Sequence, residues 1–164
     1  MSKTPKVQRF AAFSDGENGG NPAGIVVGDA LPSQAQMQKI AADLGYSETA
    51  FAAPNGDAWQ VRYYAPVGEV AFCGHATIAL GAALGAQEGA GRFELNLRDA
   101  NISVEAMQDG DTWLAALQSP ETWSKPLQDE LCLELLTLFG ITNTDLDPEL
   151  TPRLAFAGVR HAVI

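Results

Sequence analysis

Residues Gly74 to Leu84 run Gly-His-Ala-Thr-Ile-Ala-Leu-Gly-Ala-Ala-Leu, a helical stretch that is apolar on nearly every face. A helix of that kind has no side to give to water, so the rest of the fold must enclose it. Its first N–H groups have no partners within the helix and carry the positive end of the dipole. Once enclosed, that end suits a carboxylate or another small anion. The strand-like Arg62-Tyr63-Tyr64-Ala65-Pro66 turns at its proline and leads through Val70-Ala71-Phe72 into Cys73-Gly74-His75, which opens the helix.

Elements of both kinds flank this helix. Val7 to Phe13 alternates as a strand, Asp15 to Gly20 reads as a loop, and Asn21-Pro22-Ala23-Gly24 leads into the buried strand Ile25-Val26-Val27. Ser33 with Gln36 forms a capping box, opening a helix with Met37, Ile40, Ala41 and Leu44 on one face and Gly45 at its end. Asn55-Gly56 joins Thr49–Ala53 to Ala58–Tyr64 as a hairpin. Further strands are expected at Phe93 to Leu97, Ile102 to Ala106 and Thr112 to Leu117. The fold class is therefore α+β: a curled, mostly antiparallel, barrel-like sheet of about seven strands around a central apolar helix.

The pattern changes at Ser119-Pro120. Pro126 reads as the start of a helix whose stripe of Leu127, Leu131, Leu135, Leu138 and Phe139 is expected to be core. Leu154 to Ile164 reads as a strand pair or one long strand, and it stops in mid-pattern. The expected organisation is a first half over residues 1–118 and the opening of a second, truncated half over 119–164.

With 164 residues, 46% hydrophobic and 18% charged, the chain can bury a sizeable core. A formal charge of −10 argues against nucleic acid and anionic membrane partners. The start lacks the apolar core of a signal peptide, no run approaches a membrane span, and two cysteines make no disulfide framework; a cytoplasmic location is expected.

Asn21-Pro22-Ala23-Gly24, Ser47-Glu48-Thr49-Ala50-Phe51, Arg62 to Pro66, Glu69-Val70 and Cys73-Gly74-His75-Ala76-Thr77 occur in the order and spacing of the PhzF family. Those are the phenazine-biosynthesis isomerases and their relatives. Gly158-Val159-Arg160-His161 resembles the opening of that family's second half. The resemblance implies a diaminopimelate-epimerase-like fold of two similar halves with the active site in the cleft between them. The type member isomerises trans-2,3-dihydro-3-hydroxyanthranilate without metal or organic cofactor, and the resemblance implies proton transfer of that kind. Tyr64-Ala65 departs from the usual Phe-Thr, and the sequence ends before the motifs of the second half.

By that resemblance Glu48 is the catalytic acid/base, with His75 and the backbone at Gly74 beside the substrate; Ala76, Cys73 and, from its loop, Asn21 are expected to join them in binding it. From the residues themselves, Glu48 lies where a helix-to-strand loop meets an apolar strand, suited to moving a proton. Cys73 precedes a helix N-terminus, a position expected to lower a thiol's pKa. His75, in the first turn, is placed to orient a ligand. The histidines and cysteines show no metal-ligand spacing, so no metal is expected. The leading function is cofactor-independent proton transfer on a small carboxylate metabolite, with a homodimer expected from exposed apolar surface. Two other functions compete with it. One is a non-catalytic half-protein, serving as a binding module or a subunit of a split enzyme. The other is hydrolysis by Cys73 as nucleophile, with His75 or His161 as base.

Overall fold

The computed structural model describes residues 6–16 and 18–164. The chain forms two compact units, Met1–Pro120 and Glu121–Ile164. Among the described residues no helix is long and apolar enough to cross a membrane.

The first unit opens with a hairpin of β1 (Gln8–Asp15) and β2 (Asn18–Val27), then α1 (Gln34–Leu44). The hairpin β3 (Thr49–Asn55) and β4 (Ala58–Ala65) follows, with the short β5 (Gly68–Val70) folding back on β4. Next come α2 (Gly74–Glu88), β6 (Gly91–Asn96), β7 (Asn101–Asp109) and β8 (Thr112–Gln118). The sheet has eight strands in the order β1-β2-β3-β4-β6-β7-β8, with β5 paired to β4. Most neighbours are antiparallel, but β2 with β3 and β4 with β6 are parallel.

The enclosed helix is where its composition requires it to be. Along α2, Ala76, Thr77, Ala79, Leu80 and Gly81 to Gly85 are buried. They pack against Ile25, Val61, Tyr63, Leu95 and Val104 of the concave sheet face. The approach is close enough to need glycine: a Cβ on Gly81 would lie 2.4 Å from Val104 Cγ2, and one on Gly85 2.5 Å from the Trp113 ring. On the other face Met37 and Ala41 of α1 pack on Val26, Phe51 and Tyr64.

Several expectations need correction. The sheet is mostly antiparallel as expected, but among the described residues its path does not close into a barrel: β1 and β8 are its ends. Between them, over Ile78, Ala79 and Ala82 of α2, lies an apolar groove of about 520 Å³. Of the loop expected from Asp15 to Gly20, Asp15 belongs to β1 and Asn18 to Gly20 belong to β2, because the hairpin register carries pairing to Asp15↔Asn18. The strand β5 is too short to show in the pattern. The capping box is as read: Ser33 Oγ accepts from Gln36 N–H at 3.3 Å, and Ser33 N–H donates to Gln36 Oε1 at 3.0 Å. Gly45 ends α1 at φ 72°.

The second unit holds β9 (Trp123–Pro126), α3 (Asp129–Phe139), a 3₁₀ turn at Asn143–Asp145, β10 (Arg153–Phe156) and β11 (Arg160–Val163). Its sheet order is β11-β10-β9, and Trp123 stacks on Phe156 at 5.6 Å. Pro126 ends β9; the helix begins at Asp129, after the last residue whose backbone pairs with β10. The leucine stripe is mostly not core. Leu127 and Leu136 are buried, whereas Leu138 is 75% and Phe139 64% exposed.

Candidate active site

Three chain segments of the first unit bring the chemistry together. The loop between α1 and β3 carries Ser47 and Glu48, and β2 holds it in place. Gly24 N–H donates to the Glu48 carbonyl at 3.2 Å. Gly24 is there because nothing larger fits: a Cβ would meet Leu44 Cδ2 at 2.3 Å and Thr49 Oγ1 at 2.8 Å. The glycine of Asn21-Pro22-Ala23-Gly24 thus fixes the backbone on which the Glu48 side chain is mounted. The turn after β5 brings Cys73 and His75 to the start of α2.

At that start the side chains of Glu48, Cys73 and His75 converge. His75 Nε2 lies 3.5 Å from Glu48 Oε2 and 3.3 Å from Ser47 Oγ. His75 Nδ1 lies 3.2 Å from Cys73 Sγ. The imidazole is 11% exposed and the Glu48 side chain 21%, so both are drawn in yet reachable. An ionised carboxylate can only accept, so the ring nitrogen facing it carries the proton. Nδ1 is then the acceptor, and the thiol is the group able to donate to it. A neutral ring with its proton on Nε2 satisfies both of these contacts.

Cys73 reverses its expectation. Its thiol is pushed up to about 12, first by burial and then by the Glu48 carboxylate beside it. The N–H groups of Ala76 and His75 at the helix start favour the thiolate, but they are outweighed. Desolvation of a charge exceeds what a helix end can return. A thiol that keeps its proton is a poor nucleophile, which removes the support for hydrolysis at Cys73.

Of the remaining expected residues, Gly74 and Ala76 stand in the first turn of α2 beside the cluster. Around Gly74 a Cβ would meet only Leu117 Cδ2, at 3.8 Å, so the backbone there is open to a ligand. Asn21 is an exposed residue of β2 opposite Ala12 and is not part of the cluster. His161 is exposed on β11 of the second unit. Ser47 is the site residue that the reading of single side chains passes over, although it sits within the Ser47-Glu48-Thr49 motif. Glu48, Cys73 and His75 each offer a donor atom within 4.8 Å of the others, and these are also donor types for a soft divalent cation. Chain spacing hides the trio because Glu48 comes from a separate loop.

The fold and this arrangement define a class of proteins. The family model described as phenazine biosynthesis-like protein matches residues 10–164, and the chain belongs to that family, the PhzF family. The chain is 32% identical over 165 residues to an uncharacterized isomerase, YddE, of Escherichia coli (strain K12), a match covering 98% of this chain and 55% of the relative. Among solved structures it resembles a PhzF-family phenazine biosynthesis protein of Bacillus anthracis, with TM-score 0.71, 26% identity, and coverage of 95% of this chain and 54% of that one. A predicted epimerase of Pseudomonas aeruginosa shares the fold at TM-score 0.81 and 18% identity, with coverage of 95% and 57%. The chain therefore spans about half the length of the relatives it matches.

Proposed function

We propose that this chain carries the acid–base side of an isomerase or epimerase site that moves a proton on a small carboxylate-bearing metabolite, with no organic cofactor or metal. The observation that supports it is the contact of Glu48 with His75 and Cys73 at the start of an enclosed helix. Glu48 is the acceptor-only member of that cluster, and so the base. It takes a proton from an acidic C–H of the substrate. His75, with its proton on Nε2, stabilises the carboxylate before the transfer. The thiol on Nδ1 keeps the ring in that tautomer. The substrate carboxylate is held at the start of α2 beside Gly74, with the helix dipole favouring the anion. Proton return to a different carbon, or to the other face of the same one, completes an isomerisation or an epimerisation.

The names of the relatives support the general class: several are named uncharacterized isomerases, and the neighbour in Pseudomonas aeruginosa is named a predicted epimerase. The expected likeness of the first unit to one half of diaminopimelate epimerase belongs to the same reading, as does a homodimer covering the exposed α3 leucines. A monomer in light scattering at micromolar concentration would remove the dimer.

The test is solvent-deuterium incorporation. The protein is incubated in D₂O with a panel of small carboxylates bearing acidic C–H bonds, and the products are read by NMR and mass spectrometry. Incorporation that Glu48→Gln lowers by about 10²–10⁴-fold supports the reading, since that is the usual weight of a positioned general base. Incorporation equal in the variant overturns Glu48 as the base. Incorporation that starts only when a separately made second half is added favours the split-enzyme alternative.

A further inference from the structure

We propose that Tyr63 and Thr77 are positioning residues for this site, acting on Cys73 and His75 through the Cys73 carbonyl. The starting observation is a helix start without a side-chain cap. In α1 the N-cap side chain of Ser33 bonds back to the helix. In α2 the N-cap residue Cys73 makes no such bond. Its side chain is engaged with His75 Nδ1 instead. An N-cap residue normally orients the first turn through its side chain. Here the sulfur gives the His75 and Ala76 N–H groups only weak contacts, and the backbone is held more firmly another way.

Two buried hydroxyls supply it. Thr77 Oγ1 donates to the Cys73 carbonyl at 2.7 Å, and Thr77 N–H reaches the same oxygen at 3.0 Å. The Tyr63 hydroxyl lies 2.7 Å from Thr77 Oγ1. A threonine hydroxyl has one proton. Spent on the carbonyl, it leaves Thr77 only an acceptor toward Tyr63, so the phenol must donate. The chain is directed: Tyr63 O–H to Thr77 Oγ1, and Thr77 O–H to Cys73 C=O. Tyr63 is itself fixed, in register with Val70 on β5 and edge-on to Phe72 at 6.4 Å. Tyr63 is 1% exposed and Thr77 fully buried, and burial raises the phenol's pKa, so it keeps the proton it donates. Strand β4 thereby sets the backbone of Cys73, and with it the direction of the sulfur toward His75 and of the imidazole toward Glu48.

The inference rests on reading the cluster as the reacting site, but its test reads the state of the cluster and not turnover. It can therefore fail while Glu48 remains the base. In a Cys132→Ser, His161→Asn background, Cys73 is the single thiol and His75 the single imidazole. Two readouts are followed: the rate of Cys73 alkylation by iodoacetamide against pH, and the ¹⁵N shifts of the His75 ring, which report its tautomer. Thr77→Val is expected to raise alkylation at pH 8 about tenfold. It should also average the two ring nitrogens toward a mixture of tautomers. Tyr63→Phe is expected to act in the same direction but less, and Thr77→Ser to restore the background values on both readouts. A cooperatively folded Thr77→Val with unchanged alkylation and an unchanged ¹⁵N pattern overturns the proposal. If Thr77→Val does not fold, Tyr63→Phe, which removes only the hydroxyl, decides it on the same two readouts.

Discussion

The sulfur of Cys73 and Nδ1 of His75 lie 3.2 Å apart, two residues from each other at the start of α2, in a setting where burial holds the thiol in its protonated form. With the thiol pushed up to about 12, it stays protonated across the range in which most cysteines react. At pH 8 the alkylation of Cys73 in the folded chain is expected to be on the order of a hundredfold or more slower than in urea, where a free thiol titrates near ~8.5. Peptide-resolved mass spectrometry separates it from Cys132. The thiol's contribution to stability has a matching sign. It is fully present below the unfolded thiol's pKa and is lost as pH rises toward the folded value. Equal alkylation rates in the two states would contradict the burial of this group.

Glu48 is the second cause of that shift, through its charge and its closeness to the sulfur. Glu48→Gln removes the charge and leaves the shape. Cys73 alkylation should then become several-fold faster, yet remain well below the unfolded rate, because burial is the larger cause. No change in rate would show that carboxylate and thiol do not sense one another.

Gly85 tests the contact between helix and sheet. Alanine is favoured over glycine in a helix by roughly 1 kcal/mol. At Gly85, however, a Cβ would lie 2.5 Å from the Trp113 ring and 2.8 Å from Ala106 Cβ, and the latter is fixed to its backbone. Overpacking of this kind costs about 1–3 kcal/mol. Gly85→Ala is expected to destabilise the protein in urea denaturation despite the gain in propensity; a more stable variant would mean that the sheet yields.

In α3 the two leucines on either side of Thr137 should behave differently. Leu136 is 2% exposed and Leu138 75%. Leu136→Ala is expected to cost about 2–4 kcal/mol, and Leu138→Ala within about 0.5 kcal/mol. Similar large losses at both positions, measured by thermal unfolding, would place Leu138 in a buried interface in solution.

Much of the framework is legible in the residues. The all-apolar run from Gly74 forces an enclosed helix, Ser33 with Gln36 marks where α1 begins, and Asn55-Gly56 marks a hairpin. What escapes is whatever depends on partners distant in the chain. Parallel pairing of β4 with β6 leaves no local signature. The three-residue β5 is shorter than its pattern period can reveal. Cys73 was expected to be acidified by the helix end, a local effect, whereas its burial and the carboxylate of Glu48 arrive through the tertiary fold. Ser47 and the Tyr63–Thr77 bond are hidden for the same reason. The stripe on α3 misleads in the opposite way, because periodicity shows a face without showing what covers it.

The enclosure of α2 also has a kinetic meaning. A helix rich in Ala and Gly with no wet face gains little by forming alone, so it becomes stable only as the sheet closes over it. Amide protons from Thr77 to Leu84 should therefore exchange with solvent only when the whole first unit opens. Glu48, Cys73 and His75 meet at the end of that helix, so they would assemble and disperse with it as one event, leaving no partly open form in which the cluster survives.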